Sequence, residues 1–157
     1  MIRFFICLIL VMFLNIKFKV LSKEINEKVL EDHGYDFFST YLDLSGQGYD
    51  SIDENTFKAF PHFEIIHLED NKLTRIDSNV FAYSYDLREI WLESNQITSI
   101  AKDSFSKNKK LEKICLNDNP VSSFFSDELH DICKNNQICN LIIEENCPKT
   151  SKLYFIT

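Results

Sequence analysis

One pattern recurs along the chain at an interval of 24 residues, and that interval limits the fold more than any other feature. Phe63-x-x-Ile66-x-Leu68-x-x-Asn71-x-Leu73 returns as Leu87-x-x-Ile90-x-Leu92-x-x-Asn95-x-Ile97 and again as Leu111-x-x-Ile114-x-Leu116-x-x-Asn119-x-Val121. A weaker first copy is Leu42-x-Leu44-x-x-Gln47-x-Tyr49. The second halves keep step in two further columns. One is Ile52, Ile76, Ile100 and Phe124; the other is Phe57, Phe81, Phe105 and Leu129. A fixed period in independent columns marks a repeat architecture.

A unit this short cannot close a core alone, so successive units stack and bury one another's apolar edges. The Leu-x-Leu step alternates with period two. It predicts a strand that sends its aliphatic residues inward and the residues between them outward. Asn71, Asn95 and Asn119 then stand at the turn leaving each strand, where a side-chain amide can satisfy backbone groups of neighbouring turns. Phe57, Phe81 and Phe105 are expected to stack as an internal spine.

The motif resembles the extracellular leucine-rich repeat family in its 24-residue form, over residues 39–134. The resemblance implies an α/β fold, a leucine-rich repeat solenoid. Its parallel sheet lines the concave face, its convex side is irregular or helical, and small helical caps close the ends. A cap is expected at each end because a terminal repeat exposes an apolar edge. The N-terminal cap is placed at residues 23–38, with helical spacing of Ile25, Val29 and Leu30 between Lys23 and Glu31, a break at Gly34, and Phe37 and Phe38 covering the first repeat. Unlike many relatives, this chain has no cysteine in that region. At the other end, Asn119-Pro120 matches a pair that often precedes a cysteine-rich cap, but no closely spaced C-x-C follows. A helix over 126–134, with Ser126 as its N-cap, is expected, then a C-terminal cysteine-containing cap and tail over 135–157 that includes a strand over 138–143.

The first 22 residues read as a secretory signal peptide. Arg3 is followed by eleven apolar residues, Phe4 to Leu14, and the stretch ends with Val20 and Ser22 at the −3 and −1 positions. That run is shorter than the roughly 20 residues needed to span a bilayer. Export implies an extracellular protein. Removal of residues 1–22 leaves 14 basic against 24 acidic residues and the four cysteines Cys115, Cys133, Cys139 and Cys147. An even number in a secreted chain suggests two disulfides. Register favours Cys115–Cys139, which are one period apart, and with it Cys133–Cys147; the count alone permits two other pairings. The acidic balance argues against nucleic acid as a partner.

If the strands point their intervening residues outward, the concave face displays Asp43, His67, Trp91 and Cys115 in one column. The column before it is Tyr41, Ile65, Glu89 and Lys113, and the one after is Ser45, Glu69, Glu93 and Asn117. The candidate partner-binding set is therefore Tyr41, Asp43, Ile65, His67, Glu69, Glu89, Trp91, Glu93 and Lys113. Aromatic residues on an outward face are the type that carries binding energy. The surrounding carboxylates favour a basic partner and speed its approach. The plainer reading is that Trp91 covers its own neighbours and the carboxylates keep the protein soluble.

Nothing in the chain matches a phosphate-binding loop, a dinucleotide fingerprint, a nucleophile elbow or a metalloprotease helix. His67 with Asp43 and Glu69 is the only set suited to acid–base work, and no nucleophile column adjoins it. Glu69, Asp70 and Glu93 lack a calcium-loop pattern, and His130 with Cys133, Cys139 and Cys147 lacks zinc-ligand spacing. No cofactor, metal or catalysis is expected. The resemblance implies a secreted module that binds a protein ligand or receptor in innate immunity, adhesion or extracellular signalling. The alternative is an assembly protein that forms a homodimer or co-receptor through its solenoid surface.

Overall fold

The computed structural model describes residues 22–120. Four strands form the main sheet: β2 (Tyr41–Asp43), β4 (Ile65–His67), β6 (Glu89–Trp91) and β8 (Lys113–Cys115). They lie side by side in chain order and are parallel throughout. The register aligns Leu42 with Ile66, Ile66 with Ile90, and Ile90 with Ile114, so each sequence column becomes a spatial column. These four inward residues are fully buried, as are Leu44, Leu68 and Leu92 two positions on.

On the opposite side the chain makes only two-residue strands. β1 (Glu24–Ile25) pairs with β3 (Ser51–Ile52), and β5 (Arg75–Ile76) pairs with β7 (Ser99–Ile100). Turns fill the rest. The expected helical alternative for the convex side is not taken up among the described residues, where the one α-helix is α1 (Glu27–Asp32) in the N-terminal cap. Phe57, Phe81 and Phe105 are fully buried and stack in sequence, with ring centroids 5.3 and 5.4 Å apart.

Three asparagines tie the turns together. Asn95 donates from Nδ2 to the carbonyls of Leu68 and Leu92 at 2.9 and 3.0 Å, and its Oδ1 accepts from Leu73 N at 3.0 Å. Asn71 repeats this with Leu44, Leu68 and Tyr49, and Asn119 with Leu92, Leu116 and Ile97. Each amide thus joins its own strand exit to the preceding coil. Just before each asparagine the backbone enters the left-handed region, at Asp70, Ser94 and Asp118, with φ between 52 and 57°. Gly46 takes this place in the first copy.

The N-terminal cap departs from expectation in two respects. Ile25 lies in β1 rather than in a helix, because Asn26 caps the helix immediately after it by accepting from Val29 N at 3.1 Å. Phe37 and Phe38 do not cover the first repeat: they are 50% and 79% exposed. Leu30, fully buried, and Tyr35, whose ring meets Phe63 edge-on at 5.7 Å, take that role. The Tyr35 hydroxyl also accepts from Asp43 N and donates to Asp43 O, at 2.9 and 3.2 Å. The signal peptide, except for Ser22, lies outside the described residues. So do the helix expected at 126–134, the strand at 138–143, and Cys133, Cys139 and Cys147.

Phe81→Ala is expected to lower unfolding free energy by about 3–5 kcal/mol, since it opens a cavity between two stacked rings. Asn95→Ala is expected to cost about 2–4 kcal/mol by orphaning backbone groups on two coils. Asn95→Asp should lose most of the same amount, because a carboxylate keeps the acceptor but not the donor. Urea denaturation of the three variants measures these losses; an Asn95→Asp protein as stable as the parent would contradict the role given to the amide donors.

Candidate functional site

Parallel strands lie about 4.8 Å apart, close to the contact distance of flat rings. Outward residues in one column of the main sheet therefore meet face to face. His67 and Trp91, aligned in register, stack with centroids 5.3 Å apart and planes 11° from parallel. On the far side of Trp91, from β8, the Lys113 ammonium sits 3.8 Å from the ring centroid. Tyr41, from β2, leans against His67 at 5.3 Å and 48°. The result is a continuous ladder, Tyr41–His67–Trp91–Lys113, laid across all four strands.

The ladder encloses Trp91. The residue is on the concave side of the sheet, as the alternation predicts, but it is only 7% exposed. The imidazole covers one face and the ammonium the other, while Ile65 packs against it together with the fully buried Cys115. Tyr41 has no aromatic neighbour on its outer side among the described residues and stays 49% exposed. The open aromatic surface of the ladder is thus at its first rung.

The carboxylates are not equivalent. Glu69 is buried, and both its oxygens accept from the Nδ1–H of His67, at 3.0 and 3.1 Å. Asp43 is exposed and turned back on its own turn, accepting from Ser45 N and Oγ. Glu89 and Lys113 are half-buried. Glu93 is half-buried too, and burial pushes its carboxyl above the ordinary carboxylate value; neighbouring Glu69 pushes the same way, while hydrogen bonding to its own backbone N–H, His67 and Lys113 oppose it. Trp91 Nε1 and Glu93 Oε2 are buried without a hydrogen-bond partner among the described residues. Tyr41 is raised as well, first by burial and then by Asp43 and Glu69. The described residues contain no cluster of three or more potential metal ligands.

Sequence reasoning missed the rim where the strands begin. His62, Asp86 and Lys110 are one period apart and form a second ladder: Asp86 accepts from His62 Nδ1 at 2.7 Å and from Lys110 Nζ at 2.6 Å. These bonds, Lys110 foremost, hold the Asp86 carboxyl below its ordinary value. Phe37 packs edge-on against His62, and Tyr85 stands 55% exposed on the same rim. The 24-residue interval carried this signal, in columns just outside the Leu-x-Leu core.

Trp91 is the only tryptophan, so its fluorescence reports the ladder directly. Acrylamide is expected to quench it weakly in the parent protein and clearly more in His67→Ala, which uncovers one ring face. Equal quenching in both would contradict the stacking. Glu93→Gln is expected to be more stable than the parent at neutral pH. A carboxyl whose folded pKa is raised binds its proton more tightly when folded, so its ionisation lowers stability as pH rises above the ordinary value of 4.5. The gap between variant and parent should close below that value in denaturation curves taken across pH.

A family model described as Leucine rich repeat matches residues 40–97. No curated protein sequence matches the chain. Among solved structures, the chain is similar to one in the Toll–Spatzle complex, a molecular hub in Drosophila development and innate immunity, in its glycosylated form. That similarity has a TM-score of 0.52 at 22% identity and covers 62% of this chain. It spans 13% of the other chain, a small part of its length. No helix of the described residues is long and apolar enough to cross a membrane. The family match over residues 40–97, the stacked parallel strands and the register they share show a leucine-rich-repeat solenoid.

Proposed function

We propose that this is an exported, non-catalytic protein that binds a protein partner through the concave sheet, and that contact begins at the Tyr41 end of the ladder. Leucine-rich repeats are in general protein-interaction modules. The observation that carries the proposal is the ladder itself. Four strands donate one aromatic or cationic rung each, held rigid by stacking, and the first rung is left open beside Asp43. A rigid aromatic surface loses little entropy when a partner covers it. The carboxylates of Asp43, Glu69, Glu89 and Glu93 favour a basic partner. Ile65, His67, Trp91 and Lys113 serve mainly to hold that surface in place.

Export is supported by the charged, apolar and small-residue order of residues 1–22. Disulfide pairing in an oxidising compartment is supported by Cys115, which is in a disulfide in the structure. The proposed pairing remains Cys115 with Cys139 and Cys133 with Cys147.

The test is capture of a partner from extracellular fluid by the full chain as secreted. A second bait carries Tyr41→Ala with Glu89→Lys, changes that leave the core intact. Capture by the parent and a loss of about tenfold or more in the variant supports the concave site. Equal capture by two baits with the same circular dichroism and melting temperature would place the contact elsewhere.

A further inference from the structure

Among the described residues, the large hydrophobic side chains left exposed are Phe37, Phe38, Tyr41 and Tyr85. Phe37 and Phe38 are adjacent, meet edge-on at 5.3 Å, and occupy the tip of a turn that is closed on itself. Asp36 Oδ1 accepts from Phe38 N and from Ser39 Oγ, both at 3.0 Å. Ser39 Oγ accepts from Asp36 N at 2.9 Å, and Ser39 N donates to Asp36 O at 3.1 Å. Four hydrogen bonds within four residues hold two phenylalanines away from the core. Phe37 is braced from behind by His62 at 5.0 Å. Exposed apolar surface of this kind marks a contact site more often than a filler, and a pre-organised one costs little to dock.

The charge around the turn narrows the occupant. The stretch that carries the turn, residues 31–40, has three carboxylates, Glu31, Asp32 and Asp36, and no lysine or arginine. Anionic lipid headgroups and nucleic-acid phosphates are repelled by such a surface, whereas lysine and arginine side chains are attracted and can also lie on the aromatic rings. We infer that the Phe37–Phe38 turn is a docking knob for a protein partner whose surface offers an apolar pocket fringed by basic side chains. This surface is on the rim where the strands begin, and it does not depend on the concave-sheet proposal.

The probe is an amphipathic helical peptide of leucine and lysine, with a leucine–glutamate twin and neutral phosphatidylcholine vesicles as comparators. Binding to the full chain is followed by fluorine NMR of a 4-fluorophenylalanine placed at Phe38, and by anisotropy of the labelled peptides. The lysine peptide is expected to bind, to shift the fluorine signal, and to weaken with added salt. Phe37→Ser with Phe38→Ser should reduce its affinity about tenfold or more, and Phe37→Leu with Phe38→Leu should restore most of it. The fluorine label reports contact at Phe38 itself, which separates this surface from the concave one. Lysine-peptide affinity unaltered by the serine pair, equal binding of the glutamate twin, or vesicle binding in place of peptide binding would each overturn the inference.

Discussion

The structure depends on buried amides that each serve two coils. A parallel sheet of three-residue strands has few hydrogen bonds of its own, and every coil must turn sharply as it leaves the sheet. Asn71, Asn95 and Asn119 resolve that difficulty by donating to two carbonyls and accepting from one N–H, each spanning a coil boundary. A buried network of this kind holds its register because any slip would orphan several groups at once. The left-handed residue before each asparagine follows from the same need, since the chain must reverse within one residue to bring the amide underneath the strand. The phenylalanine stack then fills the interior that the ladder has spaced.

Much of this was legible in the sequence because the interval of 24 residues is also the spatial repeat. Inward residues such as Ile66 and Ile90, the amides, and Phe57, Phe81 and Phe105 all fall where their columns put them. Alternation could assign Trp91 to the concave side, but it could not state its burial. Burial depends on the neighbours on adjacent strands, and only a register shows that a flat imidazole and a lysine ammonium lie against its two faces. The cap was less legible for a related reason. Ile25 has helical spacing with Val29, yet Asn26 between them is a stronger instruction, and the open edge of Ser51–Ile52 takes Ile25 as a strand partner. Phe37 and Phe38 read as a cover for the first repeat, and their turn chemistry, Asp36 with Ser39, is what holds them outward.

The columns also explain how charge is distributed. A side chain in a stacked repeat meets the same position of the next repeat, so opposite charges one period apart become partners. His62, Asp86 and Lys110 do this along the rim, and Arg88 with Glu112 beside them at 2.9 Å. Exposed pairs of this sort contribute little stability each. The Glu69–Glu93 column of the concave face lacks such alternation: burial, and after it the like charge of Glu69, push the Glu93 carboxyl above its ordinary value.

Tyr35 carries a consequence of a different kind. β2 is the first strand of the sheet, and its outer edge is the place where a foreign strand could add itself. Both backbone groups of Asp43 on that edge are occupied by one phenolic hydroxyl, which donates to the carbonyl and accepts from the amide. A single side chain thereby stands in for an absent neighbouring strand. It ends the sheet chemically as well as sterically, so that the same parallel pairing which builds the solenoid from within is denied to other chains approaching from without.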